Sequence, residues 1–204
     1  MTSEQTRATP TVETERLLLR WFDMDDLEAF YALGTEPNVI RYVGNVPFAS
    51  LDAARETLVS VPLKDYANYG FGRFACVWKE TGQVIGFCGP KLLPEMREVE
   101  LGYRFLPRFW SKGLATEAGR AVVAYSRDVL RLERMIALVH PENVASSRVL
   151  QKLNFGFERK AAVSWFPGVE LNLYARALDE TDDAPLSNCG LQQTASSRAP
   201  GRRS

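Results

Sequence analysis

The stretch Trp110-Ser-Lys-Gly-Leu-Ala-Thr-Glu-Ala118 runs a glycine turn into the start of a helix. Leu114, Ala118, Val122, Tyr125 and Val129 then recur at helical spacing. The first N–H groups of a helix lack partners within it, and the helix dipole leaves that end positive. The amides of Lys112, Gly113, Leu114, Ala115 and Thr116 are therefore suited to a phosphate or pyrophosphate. Gly113 permits the positive φ or close backbone approach that an anion cradle needs, and Lys112 adds a positive charge. A glycine before a helix can also serve only to turn the chain, so the flanking residues carry weight. Upstream, Glu98, Glu100 and Gly102 alternate with Val99, Leu101 and Tyr103, which puts both carboxylates on one strand face. Downstream, Asn143 can cap a helix, with Ser146 in its first turn. His140, the only histidine, has a reference pKa near ~6.5 that suits proton transfer. It precedes Pro141 at a strand end, where structural hydrogen bonding is the competing role.

The elements that must position these groups read as strand, two helices, three strands, helix, strand, helix, two strands. Leu17, Leu18 and Leu19 lie in the first strand. Asp23 can cap a helix with Met24, Leu27 and Tyr31 on one face and Gly34 at its end. Leu51, Ala54, Leu58 and Val61 give a second helix, expected to be interrupted near Pro62. Gly72 to Trp78 and Val84 to Leu92 read as strands joined by a Thr81-Gly82 hairpin turn. Met135 to Val139 forms a short buried strand. The helix after Asn143 carries Ser146, Val149, Leu150 and Leu153 and stops at Asn154 in a left-handed conformation. Val169 to Leu178 supplies the last strand. This alternation suits an α/β sheet with helices on both faces. Residues 1–11 read as a flexible leader and 179–204 as a polar tail without packed structure. Arg198, Arg202 and Arg203 in that tail could touch RNA or an acidic surface, although a solvated tail is the simpler reading.

Composition narrows the classes. The chain of 204 residues, 46% hydrophobic and 25% charged, fits one soluble domain with a sizeable core. A net charge of zero argues against nucleic-acid binding through a general basic field. No apolar run is long enough for a membrane span, and no apolar signal segment opens the chain. Cys76, Cys88 and Cys189 lack metal-site spacing, and one histidine excludes a multi-histidine metal site. Cys76 and Cys88 read as buried reduced thiols, which places the protein in the cytoplasm.

The turn with its flanking segments, Glu98 to Leu106 and His140 to Phe157, resembles the GNAT N-acetyltransferase superfamily, and more closely its RimJ/RimL-like branch. The family loop Gln/Arg-x-x-Gly-x-Gly/Ala appears as Trp110-Ser-Lys-Gly113-Leu-Ala115. Trp110 stands at the usual Gln/Arg position, and Ser111 and Leu114 depart from the branch pattern Trp-Gly-Lys-Gly-Tyr-Ala-Thr-Glu-Ala. The resemblance covers residues 12–178 and implies the GNAT fold: a central mixed, twisted β-sheet with splayed strands. It implies acetyl-CoA as cosubstrate and no metal. Pantetheine would fill the splay and pair with the backbone around Phe105 and Leu106, where an N–H would also meet the oxyanion. The pyrophosphate would rest on the amides of Lys112 through Thr116, and Asn143 would lie near the pantetheine arm and thiol.

The chemistry implied is attack of an amine on a thioester. Glu100 is the leading base, through water, with Glu98 second on the same face. The tyrosine that many GNAT enzymes use as acid, seven positions after the asparagine, is replaced by Leu150. Ser146 matches the serine of the RimL-like pattern and could hydrogen-bond the leaving sulfur. The second carboxylate of some RimL-like members has no counterpart in Ser164-Trp-Phe-Pro-Gly168. Tyr31, Tyr42, Phe48, Trp165 and Phe166 are candidates for the acceptor wall or the core. A lysine near ~10.4 costs about 3 kcal/mol more to deprotonate at neutral pH than an α-amine near ~7.7–8.0. The expected acceptor is thus a protein or peptide α-amine. A small-molecule amine (amino sugar, antibiotic or polyamine) and a noncatalytic acyl-CoA-binding module are the alternatives, and a deep acceptor pocket would favour a small molecule. A homodimer is compatible with this reading, which calls for no membrane and no specific nucleic acid.

Overall fold

The computed structural model describes residues 9–44 and 46–179. Most of the expected leader and tail, with Cys189, lie outside the described residues. The eight strands are β1 (Thr11–Glu13), β2 (Leu17–Trp21), β3 (Phe74–Trp78), β4 (Val84–Leu93), β5 (Glu98–Phe105), β6 (Arg134–Val139), β7 (Gly156–Ala161) and β8 (Leu171–Ala177). The helices are α1 (Leu27–Thr35), α2 (Pro37–Ile40), α3 (Leu51–Leu58), α4 (Lys64–Tyr69), α5 (Leu114–Asp128) and α6 (Val144–Lys152). The strands form one sheet in the order β1-β2-β3-β4-β5-β6-β8-β7.

Every neighbouring pair is antiparallel except β5 and β6. That parallel pair meets in register only at Glu100 and Ile136. Beyond that point β5 runs on to Phe105 and β6 to Val139 without pairing, so the sheet forks. On the other side β5 is fully zipped to β4, from Glu98 opposite Leu93 to Phe105 opposite Gly86. The fork is therefore held rigid along one arm.

Period-two burial gives each face its own core. On one face Leu17, Leu19, Phe74, Cys76, Leu101 and Phe105 pack under the apolar stripe of α5, including Leu114, Ala118, Val122 and Tyr125. On the other, Phe22, Ala75 and Phe87 pack with Leu27, Leu33, Ala54, Leu58 and Tyr66 of α1, α3 and α4. Helices thus cover both faces, as the sequence pattern implies. Cys76 and Cys88 are buried free thiols, and burial raises both thiol pKa values. No helix among the described residues is long and apolar enough to cross a membrane.

Three local expectations change. Pro62 does not interrupt the second helix: residues 59–63 widen into a π-turn, and helical structure continues to Tyr69. The wider turn accommodates a residue that lacks an N–H and crowds the preceding carbonyl. Gly34 lies inside the last turn of α1 rather than ending it, where the Phe48 ring covers the place a Cβ would take. Val129 lies just past α5 and is exposed, so the apolar stripe ends at Tyr125. Asn154 does adopt a left-handed φ of 60° after α6.

Candidate active site

The turn into α5 is built from left-handed residues. Ser111 has φ 59°, and Gly113, the N-cap of α5, has φ 79°. A Cβ on Gly113 would meet only Arg16 Nη2, at 3.6 Å, so the space above these amides is open. Leu114 and Thr116 anchor the first turn by burial, while Lys112 and Ala115 lie nearer the surface. The Lys112 ammonium stands 5.5 Å above the Phe109 ring.

A brace not expected from sequence holds this turn. Arg16 donates through Nη1 to the Lys112 carbonyl at 2.9 Å and through Nε to Glu117 at 2.7 Å. Glu117 also accepts from the Thr14 hydroxyl at 2.6 Å and the Arg16 amide at 2.8 Å. Burial works against Glu117 ionising, but these hydrogen bonds and the Arg16 charge prevail and hold its pKa below the usual glutamate range. The only hint in the sequence was Glu117 in the first turn of the helix. Its partners lie about a hundred residues away, out of reach of local pattern.

The fork exposes the backbone of β5. Leu106 donates to the Ile85 carbonyl at 3.0 Å, which fixes the even-numbered residues of β5 toward β4. Leu106 therefore does not offer its N–H to the fork, which leaves Phe105 of the two residues named from the sequence. The alternation directs the N–H and C=O of Tyr103 and Phe105 there instead. Trp110 Nε1 donates to the Phe105 carbonyl at 2.5 Å, so this indole ties the turn to the end of β5.

Across the fork, α6 brings Asn143 and Ser146 together. Asn143 Oδ1 accepts from the Ser146 amide at 3.1 Å and caps the helix. Its Nδ2 has no partner among the described residues, so capping and ligand contact are compatible. Ser146 Oγ lies 2.7 Å from the Tyr103 hydroxyl, and that hydroxyl also reaches the Ser146 carbonyl at 3.1 Å. Burial raises the Tyr103 pKa, so the phenol stays protonated. Leu150, at the place of the usual acid, is fully buried. A tyrosine hydroxyl thus reaches α6 from β5 instead. In the sequence Tyr103 registered only as an alternating strand residue. His140 Nδ1 accepts from the Glu142 amide at 3.2 Å, and its ring lies near Tyr42 and Phe166. This is the structural hydrogen bond that competed with a catalytic role.

On the opposite face the two carboxylates separate. Glu100 faces a cavity of about 550 Å³ and pairs with Arg73 Nη2 at 3.1 Å. Glu98 pairs with Arg134 at 3.1 Å and does not line the cavity. The cavity reaches from Phe22 and Phe30 past Glu100 to Tyr103, Asn143 and Ser146, crossing the sheet at the fork. Tyr42, Phe48, Trp165 and Phe166 line it, whereas Tyr31 stacks on Phe48 and does not. Among the described residues no group of three or more His, Cys, Asp and Glu side chains is placed to hold a metal ion.

Comparison with known proteins identifies the family and the fold. Residues 16–156 match the acetyltransferase (GNAT) domain family. An uncharacterized N-acetyltransferase, p20 of Bacillus licheniformis, is 34% identical over 149 residues, covering 71% of this chain and 82% of that protein. The ribosomal-protein-S5-alanine acetyltransferase of Vibrio fischeri superposes with a TM-score of 0.70 at 18% identity, covering 83% of this chain and 97% of that one. The spermidine N-acetyltransferase of Vibrio cholerae, in complex with CoA and spermine, superposes with a TM-score of 0.68 at 20% identity, over 81% and 97% of the two chains.

Proposed function

Since the chain belongs to the GNAT acetyltransferase family and is an N-acetyltransferase, we propose that it acetylates the α-amine of a compact acceptor bound in the cavity, with Glu100 as base. GNAT acetyltransferases use acetyl-CoA, and the residues of this chain suit it. The open left-handed turn with five amides from Lys112 to Thr116 fits a pyrophosphate, and the fork fits a pantetheine arm against Tyr103 and Phe105. When bound, acetyl-CoA supplies the thioester whose C–S bond breaks as the N–C bond to the amine forms.

The observation that carries the reading is the position of Glu100. It is the last residue of β5 paired to β6, so it stands at the crotch of the fork. The same cavity joins it to Asn143 and Ser146 on the far side of the sheet. An acceptor amine beside Glu100 would thus lie next to the thioester. Glu100 takes the amine proton, directly or through one water. Arg73 orients that carboxylate. The Tyr103–Ser146 pair would hydrogen-bond the departing sulfur, and the N–H of Phe105 or Tyr103 would be placed for the carbonyl oxygen.

The sequence reading put a protein or peptide N-terminus first. A deep acceptor pocket is the feature set out as favouring a small molecule, and a cavity of about 550 Å³ with aromatic walls supports a compact acceptor.

CoA release should be followed on an amine panel across pH for wild type, Glu100→Gln and Glu98→Gln. Glu100→Gln should lower turnover far more than acetyl-CoA affinity, and the deficit should shrink as pH rises and free amine accumulates. Glu98→Gln, which alters only the pair with Arg134, should stay near wild type. A wild-type pH profile in Glu100→Gln would remove Glu100 from the role.

A further inference from the structure

The register of β4 and β5 places Phe87, Gly89 and Lys91 directly opposite Arg104, Gly102 and Glu100. These residues share the face toward the cavity. The two glycines leave a trough, and Arg73 lies in it: a Cβ on Gly102 would come within 2.9 Å of Arg73 Nε, and one on Gly89 within 2.6 Å of Arg73 Cα. Arg73 reaches Glu100 through Nη2, while its buried Nε has no hydrogen-bond partner. Arg104 stacks on the same Phe87 ring as Arg73, at 5.4 Å and 5.1 Å respectively. The side chains of Arg104 and Lys91 make no hydrogen bond or ion pair with any described residue, although both line the cavity.

Three cations, Arg73, Lys91 and Arg104, line the cavity with three carboxylates, Asp65, Glu95 and Glu100, but only Arg73 and Glu100 form an ion pair. The Glu95 carboxylate accepts from the Ser164 hydroxyl at 3.0 Å. Burial, then the nearby Arg73, pushes the Arg104 pKa down to about 10, and burial lowers that of Lys91. Arg104 remains a cation at neutral pH, half-buried beside the cavity, and the one carboxylate that attracts it, Glu100, is hydrogen-bonded to Arg73. Such a group is costly unless a partner of opposite sign arrives.

Resting on the α-amine reading above, we propose that the acceptor carries a carboxylate, bound by Arg104 with Lys91 while its amine faces Glu100. An arginine fork matches a carboxylate through two parallel hydrogen bonds, and the Phe87 ring holds that fork flat. The chemistry selects a compact amino acid or an amine acid of similar size. It disfavours a polyamine, whose second ammonium would meet Arg104.

The test uses the full chain with saturating acetyl-CoA and a panel of free amino acids, their carboxamides, spermidine, and peptides with acidic or neutral second residues. Free amino acids should exceed their carboxamides in kcat/KM by about tenfold to a hundredfold, the range of one charge-assisted hydrogen bond. Arg104→Gln should erase that preference by lowering only the carboxylate arm, with acetyl-CoA affinity unchanged; Arg104→Lys should restore part of it. Preference for spermidine or carboxamides, or an equal loss on both arms in Arg104→Gln, overturns the proposal. Preference for acidic peptides over free amino acids overturns the compact source of the carboxylate. If no amine turns over, the α-amine reading fails separately, and succinate decides the anion site. It should raise the melting temperature of wild type and not of Arg104→Gln, and equal shifts in the two overturn it.

Discussion

Gly113→Val separates the turn from the rest of the fold. Gly113 has φ 79°, and an added Cβ meets only one guanidinium nitrogen, at 3.6 Å. Packing within the protein therefore does not resist the substitution, and the cost is in the backbone. A non-glycine residue in the left-handed region costs roughly 1–2 kcal/mol, and a β-branched one more. The variant has two ways to respond. It can keep the conformation and place an isopropyl group over the amides, or it can relax φ and swing the neighbouring amides away. Each removes at least one hydrogen bond to an anion, worth about 1.5–3 kcal/mol. That corresponds to about a tenfold to 150-fold weaker Kd for CoA. Gly82→Val is the control, because Gly82 has φ 71°, nothing within 4 Å of its Cβ, and a place in the β3–β4 turn. The two variants should lose similar stability in denaturant titrations. Only Gly113→Val should lose CoA affinity by calorimetry. Equal CoA affinity in both would refute the cradle.

Two further outcomes follow from the brace and the hydroxyl pair. Ser146→Ala should slow the chemical step in single-turnover kinetics by about tenfold, ~1.4 kcal/mol, with acetyl-CoA affinity nearly unchanged. Tyr103→Phe should act on the same step, and the double variant should fall short of the product of the two, because their hydroxyls lie 2.7 Å apart. Glu117 has a depressed folded pKa, so its stabilisation is complete above the unfolded value near ~4.3 and is lost as pH falls through the folded one. Glu117→Gln should therefore lower stability at neutral pH and flatten the acid limb of the stability profile; an unchanged acid limb would show the brace to be inert.

Legibility from sequence follows the range of the interactions. Helix periodicity placed α5 and α6, and short-range capping chemistry placed Asn143, because each depends on neighbours a few residues apart. Strand alternation correctly put Glu98 and Glu100 on one face but could not tell them apart. Their difference comes from Arg134 and Arg73, distant in sequence, and from where β5 leaves β6. The choice between Phe105 and Leu106 was open for a related reason. Which edge of a strand offers its N–H depends on ladder register, and here Ile85 claims it. Arg73 and Arg104 carried no motif at all. They become notable only when Gly89, Gly102 and Phe87 bring them onto one ring.

One strand serves three purposes through its pleat. Side chains at even positions of β5, Glu100 and Arg104, face the cavity. The odd side chain Tyr103 crosses to α6 and meets Ser146. The odd backbone groups of Tyr103 and Phe105 turn into the fork, where Trp110 already occupies the Phe105 carbonyl and leaves that residue's N–H facing the opening. Amine, leaving sulfur and carbonyl oxygen would thus each meet a different output of the same strand. Since β5 is zipped to β4 along its whole length, these positions are fixed before any ligand binds. Preorganised groups need no reorganisation as charge develops, so in the proposed reaction Tyr103 and Ser146 would stand in for the usual tyrosine at the sulfur.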